Sequence, residues 1–183
     1  MIFLSLIEFL PIYPQIPQNF INALKAGEDS RFDTHDGVDY IGVVRAALKI
    51  ISKEGKITQG ASTITQQLAR DAYSLKAEAI RRKESGFQRK LVEVFLAQRI
   101  EKRDSKPEIL TFFVNRSFLG SGFYGLRSAS LGYFGKEPSD LTIPECASIV
   151  TILRNPSELS PLKSLSANKR GRDHVLWRMK EEG

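Results

Sequence analysis

The chain has 183 residues, of which 42% are hydrophobic and 26% charged, which is typical of one globular domain and excludes a disordered chain. Its single cysteine, Cys146, excludes an internal disulfide framework and a cysteine-rich metal site. The formal net charge of +6 favours an anionic partner, but charge alone does not choose between nucleic acid, an anionic membrane surface and a diphosphate substrate.

Residues 1–10 form a short apolar segment ahead of a single predicted domain at 11–183. Glu8 interrupts the segment and Pro11 ends it, so it falls short of the roughly 20 apolar residues that span a bilayer. No basic residue precedes Lys25, so the basic start of a signal peptide is missing. We expect the segment to be the remnant of a longer hydrophobic stretch or a strip lying on a membrane.

Three helices are predicted in the first part of the domain. Pro17 opens the first, Asp39 is expected to cap the second, which Gly55 ends, and Ser62 to cap the third. Apolar residues recur at helical spacing in two of them: Ile16, Phe20 and Leu24 in the first, and Val44, Leu48 and Ile51 in the second.

A long amphipathic helix is predicted over 75–103, and a last helix covers 173–180. Gly86 is a possible weak point in the long helix, because glycine is a poor helix former. One stripe of this helix carries four residues at helical spacing: Phe87, Leu91, Phe95 and Gln98.

Two capping boxes mark the starts of further helices. Ser105 pairs with Glu108 and Thr142 with Glu145, each ahead of an apolar run. The stretch between them carries glycines that mark turns and close backbone approach: Gly120, Gly122, Gly125 and Gly135. Alternation of period two is confined to 55–60, so we predict a mainly α fold.

Residues 26–37, AGEDSRFDTHDG, concentrate acids and one of two histidines in a basic chain. A solvated turn, a metal loop and a catalytic carboxylate site are the three interpretations. The calcium-loop spacing fails, because the position five residues before Gly37 is Phe32 rather than an acid. The other histidine, His174, is distant in the sequence and lies among basic residues, which disfavours a dedicated metal cage.

The solvated turn is the favoured interpretation for Asp33 and Asp36. It suits Glu28 and Asp29 less well, because they end an apolar helix and are followed by Phe32, which would draw them toward a buried edge. A carboxylate held there loses water and becomes a better base.

The stretch QGASTITQQLARD is rich in hydroxyls and amides. On a helix Thr63 shares a face with Gln67, and Gln66 shares one with Arg70. These side chains form either a polar outer face or a surface that grips a ligand rich in hydrogen-bonding groups, such as a sugar.

A second charged cluster lies further along the chain. Lys90 and Arg89 are three and four residues before Glu93, the spacing of intrahelical ion pairs. Together with Glu28 and the basic run at 81–83, they also suggest two carboxylates near cations that could hold a diphosphate.

Four stretches in this order and at these distances resemble the motifs of glycosyltransferase family 51: EDSRFDTHDG, GASTITQQL, RKLVEVFLAQRIE and ILTFFVNRSFLGSGFYGLRSASLGYFGK. This family comprises the peptidoglycan glycosyltransferase domains of class A penicillin-binding proteins and the monofunctional biosynthetic transglycosylases. The resemblance runs from about Pro14 to Met179. It implies a lysozyme-like helical large lobe and a small membrane-associated jaw lobe.

The resemblance implies polymerisation of lipid II into β-1,4 glycan strands with release of undecaprenyl diphosphate. The expected partners are lipid II, the growing undecaprenyl-diphosphate-linked chain, the membrane surface and other cell-wall synthesis proteins, but not nucleic acid. The expected location is the outer face of the bacterial cytoplasmic membrane, with peripheral attachment or a truncated N-terminal anchor.

By the same resemblance Glu28 is the general base of an inverting reaction, and Glu93 is a second catalytic carboxylate. No tightly bound cofactor is expected, although a divalent cation, Mg²⁺ or Mn²⁺, could lie near Glu93 with the diphosphate. Nine positions are expected to bind substrate: Asp29, Phe32, His35, Thr63, Gln66, Gln67, Arg70, Lys90 and Asn115.

Three residues depart from the family pattern: Gly27, Ala61 and Asp71. The charge of Asp71 would oppose diphosphate binding unless Arg70 neutralises it. With neither an anchor nor a transpeptidase domain in the chain, we expect a monofunctional enzyme or an isolated domain. A binding-only homologue and a lysozyme-like hydrolase are the alternatives, and the cations near Lys90 weigh against hydrolysis, which releases no diphosphate.

Overall fold

The computed structural model describes residues 16–51 and 62–183, without the side chains at 46, 47 and 49–51. Several predictions lie outside this description: the segment 1–10, the side chain of Ile51, the helix end at Gly55, the alternation at 55–60 and the departure at Ala61. The helices are α1 (Gln18–Glu28), α2 (Tyr40–Ile51), α3 (Ile64–Ala72), α4 (Leu75–Arg81), α5 (Gly86–Arg103), α6 (Lys106–Arg116), α7 (Leu126–Phe134), α8 (Ile143–Ile152), α9 (Pro156–Leu159) and α10 (Leu165–Glu182).

The mainly α prediction is confirmed. Besides the α-helices there are 3₁₀ turns at Phe32–Thr34 and Pro138–Asp140. Within 16–51 and 62–183 the β-type pairing consists of one isolated bridge between Phe118 and Tyr124. None of the described helices combines the length and apolar composition needed to cross a bilayer.

Two groups of helices form the packed body. Helices α1, α8 and α10 pack against one another, and α3 packs against both α4 and α5. Helix α6 packs on α3, and α7 joins α6 to α8. The predicted face of α1 is confirmed, because Phe20 and Leu24 are buried beside Ile149 and Ile152 of α8 and Val175 of α10.

The predicted helix starts are mostly confirmed. Both capping boxes are present, at Ser105 and at Thr142, and Asp39 Oδ1 accepts a hydrogen bond from Gly42 N at 2.8 Å. The prediction that Ser62 caps α3 is wrong by one residue, because Thr63 Oγ1 accepts the bond from Gln66 N.

The single long helix predicted over 75–103 is wrong, because residues 82–85 separate α4 from α5. Ser85 forms a capping box with Gln88, so Gly86 begins a helix instead of weakening one. The predicted stripe faces solvent: Phe87 is 72% exposed and Phe95 58% exposed.

The glycine-rich stretch makes the predicted turns. All four glycines have positive φ: Gly120, Gly122, Gly125 and Gly135. A Cβ on Gly125 would lie 2.8 Å from the carbonyl oxygen of Asn115, and one on Gly120 would lie 2.6 Å from that of Pro156. Only glycine therefore allows this loop to pack against the end of α6 and the start of α9.

Candidate active site

A polar cleft of about 1040 Å³ lies beside the C-terminal end of α1. Its lining comes from α1, α3, α4, α6, the start of α9 and the segments next to these helices. The lining residues are Glu28, Ser62, Gln67, Arg70, Asp71, Ser74, Lys76, Ala77, Phe113, Asn115, Arg116, Ser117, Phe118, Tyr124, Leu153, Arg154 and Pro156. The lining thus combines two carboxylates with four cations, which suits a polar and anionic ligand.

Glu28 is the last residue of α1, and its side chain is only 10% exposed. Gln67 Nε2 donates to Glu28 Oε2 at 3.0 Å, and Arg154 Nε lies 3.5 Å from Oε1. Burial raises the pKa of the Glu28 carboxyl above its ordinary value, and Gln67 and Arg154 offset this only in part. A carboxylate with a raised pKa at the wall of a cleft is suited to accept a proton.

Asp29 ties the loop after α1 to the start of α3. Its carboxylate accepts hydrogen bonds from Ile64 N at 2.9 Å and from His35 Nε2 at 3.0 Å. Because Gly37 N–H donates to His35 Nδ1, the proton of the neutral ring is assigned to Nε2, which faces Asp29. Asp29 and His35 are buried and do not line the cleft, and their contacts join the end of α1, which carries Glu28, to the start of α3, which carries Gln67.

Phe32 and Thr63 also lie behind the cleft wall. Phe32 is fully buried, with Lys106 Nζ 4.4 Å from its ring centroid. Thr63 Oγ1 donates to Gly37 O at 2.7 Å while it caps α3. Gly37 has φ +88°, and a Cβ there would lie 2.8 Å from the backbone of Ala97. These contacts join the loop, α3 and α5.

Lys90 is the centre of a polar cluster next to the cleft. Its Nζ donates to Ser62 Oγ at 2.7 Å, Gln66 Oε1 at 2.6 Å and Glu93 Oε2 at 3.2 Å. Burial lowers the pKa of the Lys90 ammonium, although the Glu93 carboxylate acts in the opposite direction. Ser62 lines the cleft and connects this cluster to it.

Glu93 is 1% exposed and is held by two cations. Arg89 donates to Oε1 and Lys90 to Oε2, so the predicted intrahelical ion pairs are confirmed. Both oxygens of Glu93 thus already accept hydrogen bonds from cations. Across the described residues, no group of three or more His, Cys, Asp or Glu side chains could hold a metal ion.

The remaining predicted acids divide as follows. Asp36 is exposed, and Asp33 is exposed but pairs with Lys25 at 2.6 Å. Asp71 lines the cleft, and Arg70 Nε lies 3.6 Å from its Oδ1. Arg70 is therefore close enough to offset the charge of Asp71, which is the condition set above for diphosphate binding.

The polar outer face considered for the start of α3 is wrong, because Thr63, Gln66 and Gln67 are buried. Of the predicted site residues, four come together on the cleft wall: Glu28, Gln67, Arg70 and Asn115. The other seven lie behind or beside it: Asp29, Phe32, His35, Thr63, Gln66, Lys90 and Glu93.

Sequence reasoning missed Arg154, which is the cation next to Glu28. It follows the apolar run of α8 directly, and the available signal was a lone arginine at the end of a buried helix. Lys76 and Arg116 were missed as well, and both are exposed cations on the cleft wall. Phe118 and Tyr124 add an aromatic pair with ring centroids 4.9 Å apart.

The departure at Gly27 has a packing explanation. A Cβ at this position would lie 2.9 Å from Val150 Cγ1 and 3.5 Å from Val175 Cγ2. The valines of α8 and α10 thus occupy the volume that a larger residue at position 27 would need. Glu28 is still the last residue of α1, directly after Gly27.

Comparison with known proteins gives a consistent picture. A sequence model described as Transglycosylase matches residues 8–180. A protein of Cupriavidus necator named as a transglycosylase is 41% identical over 96% of this chain and 72% of its own length. Penicillin-binding protein 1A of Escherichia coli is 43% identical, and that of Vibrio cholerae 41% identical, each over 92% of this chain.

The share of each relative that is covered differs widely. The chain spans 19% of the length of those two penicillin-binding proteins and 72% of the Cupriavidus protein. The matches confirm the resemblance that the four motifs indicated.

Proposed function

The chain belongs to the transglycosylase family, and on that premise we propose that it polymerises lipid II into β-1,4 glycan strands with release of undecaprenyl diphosphate. Membership makes it a glycosyltransferase of peptidoglycan biosynthesis. The substrate, the base and the stereochemistry belong to the proposal. The observation that carries them is the desolvated carboxylate of Glu28 on the wall of a cation-lined cleft.

In the proposed step Glu28 accepts the proton of the acceptor's 4-hydroxyl as its oxygen attacks the anomeric carbon of the donor. The new bond to carbon forms as the bond to the diphosphate oxygen breaks, and that oxygen leaves with the electron pair. Attack opposite the leaving group inverts the anomeric centre. A sugar hydroxyl is a very weak acid, so the base must act while the bond forms.

The leaving diphosphate gains negative charge, which the cleft cations stabilise. Arg70 supports this role because its Nε is buried and has no hydrogen-bond acceptor among the described residues. A buried donor without an acceptor is rare in a folded protein, and an anionic ligand would supply the acceptor. Lys90 adjoins the cleft through its hydrogen bond to Ser62, which lines it.

Two observations favour transfer over hydrolysis. A glycosidase of the common kind needs two carboxyl groups flanking the scissile bond. Glu93, the second acid that the motifs indicate, is buried and held by Arg89 and Lys90 instead of facing the cleft. Asp71, the other carboxylate of the lining, lies beside the cation of Arg70. The cations of the cleft would have no leaving diphosphate to stabilise in a hydrolytic reaction.

Association with a membrane surface is part of the proposal. Phe87, Leu91 and Phe95 form an exposed stripe on α5, and Gln98 Nε2 donates to the hydroxyl of the exposed Tyr40 on α2. Residues 75–103 carry nine basic and four acidic side chains, which would favour an anionic lipid surface. Such a surface would present a lipid-linked substrate to the cleft.

The test is polymerisation of labelled lipid II in detergent, with the products separated by size. We expect polymer from the parent and none from Glu28→Gln, because the amide cannot take the proton. Glu137→Gln is the matched control, since Glu137 pairs with Arg127 away from the cleft lining. Soluble fragments from finished peptidoglycan would support a hydrolase, and tight lipid II binding without polymer would support a binding protein.

A further inference from the structure

The charges of the cleft divide into paired and unpaired groups. Arg154 lies 3.5 Å from Glu28, and Arg70 lies 3.6 Å from Asp71, so each carboxylate of the lining has a cation beside it. The two remaining cations of the lining are Lys76 and Arg116. Neither has a carboxylate within ion-pair distance in the described part of the chain.

Lys76 and Arg116 therefore supply the uncompensated positive charge of the cleft. They come from two different elements, α4 and the last residue of α6, and both line the same space as Glu28. Neutral polar groups accompany them on the lining, Ser74 beside Lys76 and Asn115 beside Arg116. A concave wall with unpaired cations concentrates anions from solution.

Lys76 and Arg116 have no named role at the reacting bond in the proposal above, where Arg70 and Lys90 serve the diphosphate and Arg154 pairs with Glu28. We propose that Arg116 and Lys76 form a second anion subsite, which binds an oxyanion that the substrate carries away from the reacting bond. This inference rests on the proposed function. The oxyanion is either a carboxylate of the peptide branch on the sugar or a phosphate of the second lipid carrier.

The competing explanation concerns helix stability. Arg116 ends α6, where a cation stabilises the helix dipole without any ligand. The two explanations differ in what a charge-removing substitution changes. Loss of a subsite weakens ligand binding, whereas loss of dipole compensation lowers the melting temperature and leaves binding alone.

The experiment measures equilibrium binding of a soluble short-chain lipid II analogue that is blocked at the 4-hydroxyl. The blocked analogue cannot act as an acceptor, so binding is measured without turnover. The parent is compared with the Lys76→Gln, Arg116→Gln double variant. Arg127→Gln is the matched control, because Arg127 is exposed but pairs with Glu137 outside the cleft lining.

We expect the double variant to bind about 3- to 10-fold more weakly and the control to match the parent. An analogue with amidated peptide carboxylates distinguishes the sources. If the carboxylate is the ligand, the parent and the double variant bind the amidated analogue with equal affinity. If a phosphate is the ligand, their affinities for the amidated analogue still differ, and the difference in affinity disappears with an analogue that lacks the diphosphate.

Equal affinities of parent and double variant overturn the subsite, and a lower melting temperature alongside them assigns Arg116 to the helix dipole. Absence of binding to the parent also overturns it. A parent that binds the analogue with the expected difference but makes no polymer refutes the polymerase and leaves the subsite standing.

Discussion

Arg154 is bound to both the carboxylate of Glu28 and the helix that carries it. Its Nε lies 3.5 Å from Glu28 Oε1, and its Nη2 donates to the carbonyl oxygen of Gly27 at 3.2 Å. The guanidinium thus meets the partial negative charge at the end of α1 and the full charge of the side chain beside it. Its removal should change both the ionisation and the position of Glu28.

The first prediction concerns the pH dependence of activity. Glu28 must be ionised to act as a base, so kcat/KM rises with pH through its raised pKa. Arg154 lowers that pKa, so Arg154→Gln should move the acidic limb to higher pH and reduce kcat/KM at neutral pH on the order of 10²-fold. Arg154→Lys keeps the charge and should leave the limb nearer its original place. If the acidic limb of the pH profile stays in place in the Gln variant, Arg154 does not influence the ionisation of Glu28.

The second prediction concerns stability. Because burial raises the pKa of Glu28, its ionised form costs stability above the folded-state pKa, and this cost vanishes below the unfolded value near 4.5. Glu28→Gln should therefore stabilise the protein at pH 8, on the order of 1 kcal/mol, and the gain should fade as the pH drops through the raised pKa to below 4.5. Thermal unfolding across this range provides the measurement. A gain that is constant with pH would show that ionisation is not its source.

The third prediction concerns the contact between Gly27 and Val150. Gly27→Ala places a Cβ 2.9 Å from Val150 Cγ1, and valine has little rotamer freedom to move away. We expect overpacking to lower the free energy of unfolding by about 1 kcal/mol. The replacement of a glycine within a helix acts in the opposite direction. In a Val150→Ala background the same substitution should become stabilising. If the changes in unfolding free energy of the two substitutions simply add in the double variant, the contact with Val150 does not explain the glycine at position 27.

The fourth prediction concerns Asp29. Asp29 Oδ2 accepts from both Ile64 N and His35 Nε2, and Oδ1 lies 3.1 Å from the same Nε2. In Asn one of these oxygens becomes an NH₂ group, which in either orientation would face the N–H of His35. Asp29→Asn should cost about 1 to 3 kcal/mol of unfolding free energy. Asp36→Asn is the control, because Asp36 is exposed and should change stability by less than about 0.5 kcal/mol. Comparable losses in the two variants would contradict the buried network.

Local chemistry was predictable where a side chain acts on its own neighbours. The capping boxes at Ser105 and Thr142 were readable because their partners lie three residues away on the same helix. The start of α3 was missed by one residue for a tertiary reason. Ser62 and Thr63 both carry hydroxyls, but Ser62 Oγ accepts from Lys90 Nζ, which leaves Thr63 to cap the helix.

The site was predictable where it follows motifs and not where it depends on packing. Glu28, Gln67 and Arg70 lie on motif positions, and the cleft brings them together. Periodicity found the stripe of Phe87 and Phe95, but it does not say whether an apolar stripe faces a core or solvent. Arg154 reaches Glu28 from a distant segment, and no local spacing marks that contact.

The ammonium of Lys90 already donates to Ser62, Gln66 and Glu93, which use all three of its protons. An anion arriving there must displace one of these acceptors, so its binding is an exchange of partners and not a simple addition. The affinity for the anion would then depend on how much stronger the hydrogen bond from Lys90 to the anion is than the one it replaces. Ser62, the acceptor that lines the cleft, is the one whose removal by Ser62→Ala would make that exchange easier.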